Sequence, residues 1–288
     1  MDKLSENLFR YDDTCSIYVI EVRGKRLLVD CGTDLRPAVV GGVECILLTH
    51  FHRDQCAGLA QWPDAEVYIP AAERHFLEEA DAQRASYYIY DNYTAYFPGF
   101  SPLTDVRDAQ IARDYETIEW EEIRFEVIPL PGHTFGQMGY LFEIDGQRCL
   151  ACGDLMAAPG KLGDYYWLQW KYMDFQGHIN QLESLARVAA LDIDLILPGH
   201  GVPFAKADAC IGELSDKLAE IYAMFYGQPY VPFQAEFRQL SLHVWEVVNS
   251  TANTYIVKDD EGHAVLIDCG YVSGAPIAAN PHRFIDHL

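Results

Sequence analysis

The stretch LLTHFHRDQCAG (residues 47–58) places two histidines, an aspartate and a glutamine directly after a short apolar run. His50, His52 and Asp54 alternate at a spacing that suits a shared metal ion, because imidazole and carboxylate are common ligands of zinc, iron and manganese. Gln55 follows, an amide where a further basic ligand would be expected. The stretch therefore indicates a metal site. Whether that site has its full set of ligands depends on Gln55.

The composition and charge of the chain disfavour some kinds of binding partner. The chain has 288 residues, of which 50% are hydrophobic, so it can bury a full core. Its formal net charge of −22 repels phosphate backbones and anionic lipid, and we expect neither nucleic acid nor membrane as a partner. The N-terminal residues lack a signal-peptide core, and the eight scattered cysteines suit buried, reduced thiols. These features predict a cytoplasmic protein.

Strands and helices alternate along the chain, which predicts the α/β class. Residues 15–30 have the pattern of two apolar strands around a turn, and residues 178–191 carry apolar side chains at helical spacing. Two prolines and a glycine then interrupt the periodicity. We therefore predict one domain over residues 1–225, a linker over 226–240 and a further segment over 241–288.

The segment after the linker repeats an earlier pattern. Residues 249–270 resemble residues 12–32, and both stretches end in Asp-Cys-Gly. A chance match is the alternative, because β-hairpins share their composition. We interpret 241–288 as a β-hairpin segment at the start of a second, truncated copy, which implies a second homologous domain in a longer chain.

Three further loops carry potential ligands. Like His50, the residues His133, Asp154 and His200 each follow an apolar run, and each of these three stands beside a glycine. Taken singly, Asp54 is explained as a helix N-cap and the others as turn residues. Taken together, four strand-then-ligand loops favour one site, because ligands gather where strands of an α/β sheet end.

The series THFHRD, PGHT, GDL and PGHG resembles the motifs of the metallo-β-lactamase superfamily, and the glyoxalase II-like hydrolases are similar in pattern. The resemblance covers roughly residues 10 to 225 of this sequence. Asp30-Cys31-Gly32 matches the early D-x-G turn of the family. The resemblance implies a four-layer αββα sandwich with metal ions at one edge.

The resemblance also implies a ligand set. His50, His52 and His133 would bind a first metal ion. Asp54, His200 and a bridging Asp154 would serve a second. Gln55 stands where the family motif HxHxDH has a histidine ligand, and its amide oxygen is a weaker ligand for zinc. We therefore expect one or two zinc ions, with iron or manganese as alternatives.

This ligand set predicts a metal-dependent hydrolase of a small ester, thioester or lactone, acting through a metal-bound hydroxide that Asp54 orients. Two alternatives remain: a mononuclear iron enzyme of the persulfide dioxygenase type, and a catalytically silent metal-binding half of a tandem protein. A nuclease is disfavoured by the acidic balance. The aromatic segment 87–100 is predicted to form a lid, and Lys171 to face an anionic substrate group.

Overall fold

A computed structural model describes residues 1–81, 102, 104–164, 168, 176–206, 208–232, 235–250 and 252–268. The predicted lid and Lys171 lie outside the described residues. The chain divides into two compact units, Met1–Leu218 and Ala219–Leu288. Within the described residues, no helix is both long and apolar enough to cross a membrane.

The first sheet of unit 1 contains seven strands in the order of the sequence. They are β1 (Asp2–Lys3), β2 (Leu8–Asp12), β3 (Ser16–Val22), β4 (Lys25–Val29), β5 (Cys45–Leu47), β6 (Glu66–Pro70) and β7 (Gln110–Ala112). Neighbours pair antiparallel from β1 to β4 and parallel from β4 to β7. Because β4 and β5 are parallel, the turn after β4 and the histidine loop after β5 lie at the same edge of the sheet.

The second sheet of unit 1 contains six strands in the order β13-β12-β11-β10-β9-β8. They are β8 (Thr117–Trp120), β9 (Ile123–Pro129), β10 (Met138–Ile144), β11 (Gln147–Gly153), β12 (Leu195–Pro198) and β13 (Phe204–Ala205). Among these described strands, only β11 and β12 pair in parallel. The loops after these two strands, which carry Asp154 and His200, therefore leave the sheet side by side.

Five helices connect or cover the strands in the described part of the chain. They are α1 (Pro37–Val40), α2 (Arg53–Cys56), α3 (Arg74–Glu78), α4 (Gln176–Ala189) and α5 (Asp208–Tyr226). Short 3₁₀ turns cover Leu59–Gln61 and Ala71–Glu73. The helix predicted over 178–191 corresponds to α4, whose apolar face is buried.

The core lies on both faces of the first sheet. Tyr18 of β3 packs between the two sheets in one cluster with Phe125 and Tyr140. Val19, which points to the opposite face, packs in a second cluster that includes Leu77 of α3. Successive residues of a strand point to opposite faces, so a strand buried on both sides needs a continuous apolar run. Two facing sheets with helices outside them confirm the predicted α/β class and αββα sandwich.

Unit 2 contains a four-stranded antiparallel sheet. Its strands are β14 (Phe237–Ser241), β15 (Val244–Val247), β16 (Thr254–Lys258) and β17 (Ala264–Ile267). Val247 and Ile256 form its buried centre. Strand β14 begins inside the range 226–240 that the sequence assigned to a linker, and α5 continues past residue 218, where unit 1 ends. The truncated second copy stays a prediction.

We expect Gly58→Ala to destabilise unit 1. A Cβ at Gly58 would lie 2.1 Å from the carbonyl oxygen of Gly32 and 2.8 Å from Sγ of Cys31. Gly58 N–H also donates to the carbonyl of Cys31, so the residues after α2 rest directly on the Asp-Cys-Gly turn. Overpacking of this kind costs about 1–3 kcal/mol, and thermal unfolding measures it.

Gly212→Ala is the matched control, because nothing lies within 4 Å of a Cβ at this position in α5. Removing a helical glycine stabilises by up to about 1 kcal/mol. A Gly58→Ala protein that melts at or above the wild-type temperature would contradict the close approach.

Candidate metal centre

Four loops meet at one edge of unit 1, and each begins where a strand ends. Strand β5 leads to His50, β9 to His133, β11 to Asp154 and β12 to His200. Backbone hydrogen bonds join the loops: Met138 N–H donates to the carbonyl of Thr49, and Gly199 N–H to that of Gly153. Loops separated by up to 150 residues are therefore parts of one structure.

Three histidines form the centre of this edge. His50, His52 and His133 each offer a ring nitrogen, and these atoms all lie within 4.8 Å of one another. Nε2 of His133 is 2.9 Å from Nδ1 of His52. The three rings meet edge to face, with centroids 4.6–4.8 Å apart, so their nitrogens converge while the rings do not stack.

Asp154 links this histidine group to His200. Its Oδ2 lies 3.2 Å from Nε2 of His133 and 3.8 Å from Nε2 of His50. Its Oδ1 lies 2.8 Å from Nδ1 of His200. The side chain is only 2% exposed, and a Cβ on neighbouring Gly199 would lie 2.6 Å from Oδ1. Glycine at 199 therefore makes room for the carboxylate.

Asp54 and Gln55 complete the cluster on the other side of His200. Oδ2 of Asp54 lies 3.0 Å from Nε2 of His200, so the imidazole stands between two carboxylates. Gln55 is fully buried. With its amide nitrogen facing Asp54, Gln55 donates to Oδ1 over 2.7 Å.

All seven residues singled out in the sequence thus belong to one connected cluster. Their roles as individual ligands remain predictions, and so does that of Gln55.

The histidines of the cluster differ in their pKa values. Burial lowers the pKa of His50 well below its usual value and that of His52 to about 3, so both rings are neutral at neutral pH. Burial also lowers the pKa of His200, but hydrogen bonds to Asp154 and Asp54 outweigh it and raise that pKa to about 11.

This arrangement fits a divalent cation. Neutral imidazole nitrogens are the form in which histidine binds metal ions. Nitrogens bound tetrahedrally to zinc lie roughly 3.3 Å apart, which is close to the 2.9 Å between Nε2 of His133 and Nδ1 of His52. The two carboxylates beside it offer the negative charge that a cation, rather than a protonated histidine, can balance.

Sequence reasoning did not identify the residues that orient these side chains. Both oxygens of Asp30 accept a hydrogen bond from the Thr49 hydroxyl, and Thr49 N–H donates to Oδ1 over 2.8 Å. The same hydroxyl lies 3.0 Å from Nδ1 of His50, which leaves Nε2 directed at Asp154. Gln137 accepts a hydrogen bond from the backbone N–H of Asp154 over 2.9 Å. The D-x-G turn was the one local signal for Asp30.

The chain is similar to proteins of one known superfamily. Residues 10–200 match the profile of the Metallo-beta-lactamase superfamily. The chain is 26% identical over 214 residues to a hydroxyacylglutathione hydrolase of Xanthomonas euvesicatoria, covering 68% of this chain and 64% of that protein. It is 28% identical over 187 residues to a hydroxyacylglutathione hydrolase of Aeromonas salmonicida, covering 63% and 58%. The chain thus spans about three fifths of the length of these relatives.

Among solved structures, a metallo-beta-lactamase family protein from Thermus thermophilus superposes with a TM-score of 0.57. The match covers 80% of this chain and 86% of that one, at 21% identity. Fold and profile together define a protein of the αββα metallo-β-lactamase fold. The chain belongs to the metallo-beta-lactamase superfamily.

Proposed function

We propose that this chain is a metal-dependent hydrolase that cleaves a small thioester or a related ester or lactone. The observation that carries the proposal is the buried Asp154 carboxylate, which faces His50 and His133 with one oxygen and His200 with the other. A carboxylate in that position can serve two cation sites at once. The relatives named hydroxyacylglutathione hydrolases support an acylated thiol as the substrate class.

We assign the residues to two cation sites by their positions in the cluster. His50, His52 and His133 would hold one cation through neutral ring nitrogens, with Asp154 beside them. Asp54, His200 and the second oxygen of Asp154 would hold another. When bound, such a cation acts as a Lewis acid on the scissile carbonyl and makes water acidic enough to react near neutral pH.

Asp54 would orient the reacting water. Its side chain is about one third exposed, whereas that of Asp154 is 2% exposed, so Asp54 is the carboxylate that solvent and substrate can reach. Its Oδ2 is fixed by His200, and Gln55 holds Oδ1. A carboxylate held on both oxygens keeps one direction, which is what positioning a nucleophile requires.

The test begins with the full chain purified without added metal. We expect bound divalent metal by elemental analysis and hydrolysis of a panel of acyl thioesters, esters and lactones. His52→Ala should lose both. His75→Ala is the control, because His75 is an exposed histidine of α3. A wild-type protein that carries no metal and hydrolyses nothing would refute the proposal.

The same measurements separate the two alternatives. Iron in the purified protein, with oxygen uptake on a persulfide, would assign the dioxygenase chemistry instead. Bound metal with no turnover on any substrate would assign a silent metal-binding domain. Elemental analysis identifies the metal and the assays identify the reaction, so the two readouts are independent of each other.

We expect Gln55→His to raise the metal content from about one to about two ions per chain, since imidazole binds zinc more strongly than an amide oxygen does. The side chain is buried beside Asp54, so an imidazole there would face the same carboxylate. Gln239→His, which adds a histidine to an exposed position of β14, is the control. An unchanged metal content in Gln55→His would show that this position does not limit the second ion.

A further inference from the structure

We propose that Glu73 is a positioning residue that fixes the spacing of the histidine group by joining the two loops that carry it. This inference rests on the proposed metal site. Glu73 is the last residue of the 3₁₀ turn Ala71–Glu73, which lies between β6 and α3, and its side chain is fully buried. None of the sequence motifs contains it.

Each oxygen of the Glu73 carboxylate serves a different ligand loop. Oε2 accepts a hydrogen bond from the backbone N–H of Phe51 over 2.7 Å, and Phe51 stands between His50 and His52. Oε1 accepts hydrogen bonds from the Thr134 hydroxyl and from Gly136 N–H, the latter over 3.1 Å. Thr134 directly follows His133. One side chain therefore spans the two loops that supply all three histidines.

The chemistry of the contacts requires a carboxylate. All three partners donate, and a side chain with two acceptor oxygens matches them without an unsatisfied group. Burial raises the pKa of Glu73, and the three donors oppose that shift because they favour the charged form, in which both oxygens accept. A glutamine would direct an NH₂ group at one of the donors, so one loop would lose its anchor while the volume stayed the same.

Close packing supports the same connection independently of hydrogen bonding. A Cβ on Gly136 would lie 2.6 Å from Cγ of Glu73 and 2.8 Å from Cβ of Ala72. The His133 loop thus rests directly on the 3₁₀ turn. Phe76 of α3 extends the contact, since its ring centroid lies 5.3 Å from that of Phe51 and 5.5 Å from that of Phe135.

The test compares Glu73→Gln with the wild type by titration with Co²⁺, whose absorption spectrum reports ligand geometry. We expect the affinity for Co²⁺ to fall about 10- to 100-fold, as it does for other outer-shell partners of metal ligands, and the spectrum of the loaded protein to change. Glu79→Gln, an exposed glutamate one residue beyond α3, should match the wild type in both measurements. An unchanged affinity and spectrum in Glu73→Gln would overturn the inference, even if its melting temperature falls.

A second variant covers the case in which Glu73→Gln does not fold. Gly136→Ala leaves the carboxylate in place but pushes the His133 loop away from it, and we expect a weaker Co²⁺ affinity with a shifted spectrum. A wild-type affinity in Gly136→Ala would count against the inference. A wild-type chain that binds no Co²⁺ refutes the metal site itself, whereas bound Co²⁺ without hydrolysis refutes only the proposed activity.

A different observation carries a second inference, on the origin of unit 2. In unit 1, residues that pair directly across β1 to β4 form one row perpendicular to the strands. Asp2 pairs with Arg10, Arg10 with Tyr18, and Tyr18 with Val29. Unit 2 has the same row across β14 to β17. Arg238 pairs with Glu246, Glu246 with Tyr255, and Tyr255 with Ile267.

The residues that follow Val29 and Ile267 also share an unusual backbone conformation. Asp30 has φ 61° and Asp268 has φ 54°, a left-handed conformation that non-glycine residues seldom adopt. Both are the aspartates of the repeated Asp-Cys-Gly. From the shared order, register and turn we infer that residues 237–268 are a second copy of the four strands that open unit 1, with Asp268 in the place of Asp30.

Disulfide cross-linking tests this register. Residues directly opposite in antiparallel strands have Cα atoms about 4.5–5.5 Å apart, within the range of a disulfide. With Cys269→Ser as background, we expect Tyr255→Cys with Ile267→Cys to cross-link on mild oxidation. Tyr255→Cys with Val265→Cys, two residues out of register, should stay reduced. The opposite result would overturn the inference, because the aligned tyrosines would then differ in register.

Discussion

Asp154→Ala is expected to cause the largest loss of function of any single substitution in this chain. The carboxylate touches three of the four histidines in the cluster, with Oδ2 facing His50 and His133 and Oδ1 facing His200. Loss of a partner that only orients a ligand already costs about 10- to 100-fold. We therefore expect the hydrolytic kcat/KM to fall by more than about 100-fold, together with the metal content per chain.

The control for this prediction is Asp192→Ala, an exposed aspartate in the loop before β12. It removes the same charge from the same chain and should leave metal content and kcat/KM unchanged. The role of Asp154 would be contradicted by an alanine variant that keeps wild-type metal content. A variant that keeps its metal but loses hydrolytic activity would show that Asp154 acts in the reaction and is not needed to bind the metal.

Removal of metal by a chelator is expected to give the second largest effect, on thermal stability. A ligand present at about 100 times its Kd stabilises the folded state by about 2.7 kcal/mol. For a unit of this size, each kcal/mol shifts the melting temperature by about 2–4 °C. We therefore expect the chelated protein to melt roughly 5–10 °C below the metal-loaded protein.

The structural reason lies in the charge of the site. Asp54 and Asp154 approach the same histidine from two sides, and a cation screens these carboxylates from each other. The melting temperature of His52→Ala should respond much less to the chelator, because one ligand of the first ion is gone. Superimposable melting curves for wild-type protein with and without chelator would contradict a bound structural ion.

Much of the architecture was predictable from local sequence. The α/β class follows from strand and helix periodicity, and the αββα arrangement from the resemblance carried by four short motifs. The glycines beside His133, Asp154 and His200 indicated tight turns, and the structure places all four loops at one edge. These signals work because each depends on residues that are close together in the chain.

The supporting residues were not predictable in the same way. Glu73 stands near Glu78 and Glu79 in the sequence, and no local pattern distinguishes the buried acceptor from the two exposed or partly exposed glutamates. Asp30 and Thr49 are 19 residues apart and meet only because β4 and β5 are parallel neighbours. Sequence spacing cannot report a contact that depends on strand pairing.

Gln55 shows the same limit within the central motif. Its identity is evident in HFHRDQ, but an amide can serve as a metal ligand through oxygen or as a hydrogen-bond donor through nitrogen. The buried position against Asp54 favours the donor role in the structure described, and the Gln55→His experiment measures its consequence for the second ion.

Motifs and periodicity are local properties, so the fold class, the family resemblance and the chemical types in the four loops could be predicted from the amino-acid sequence. Which atoms face one another depends on the folded chain: Asp154 lies between three histidines, His200 between two carboxylates, and Glu73 between two ligand loops. Distances and burial set charge state and ligand spacing, and both arise only when strands distant in the chain are paired.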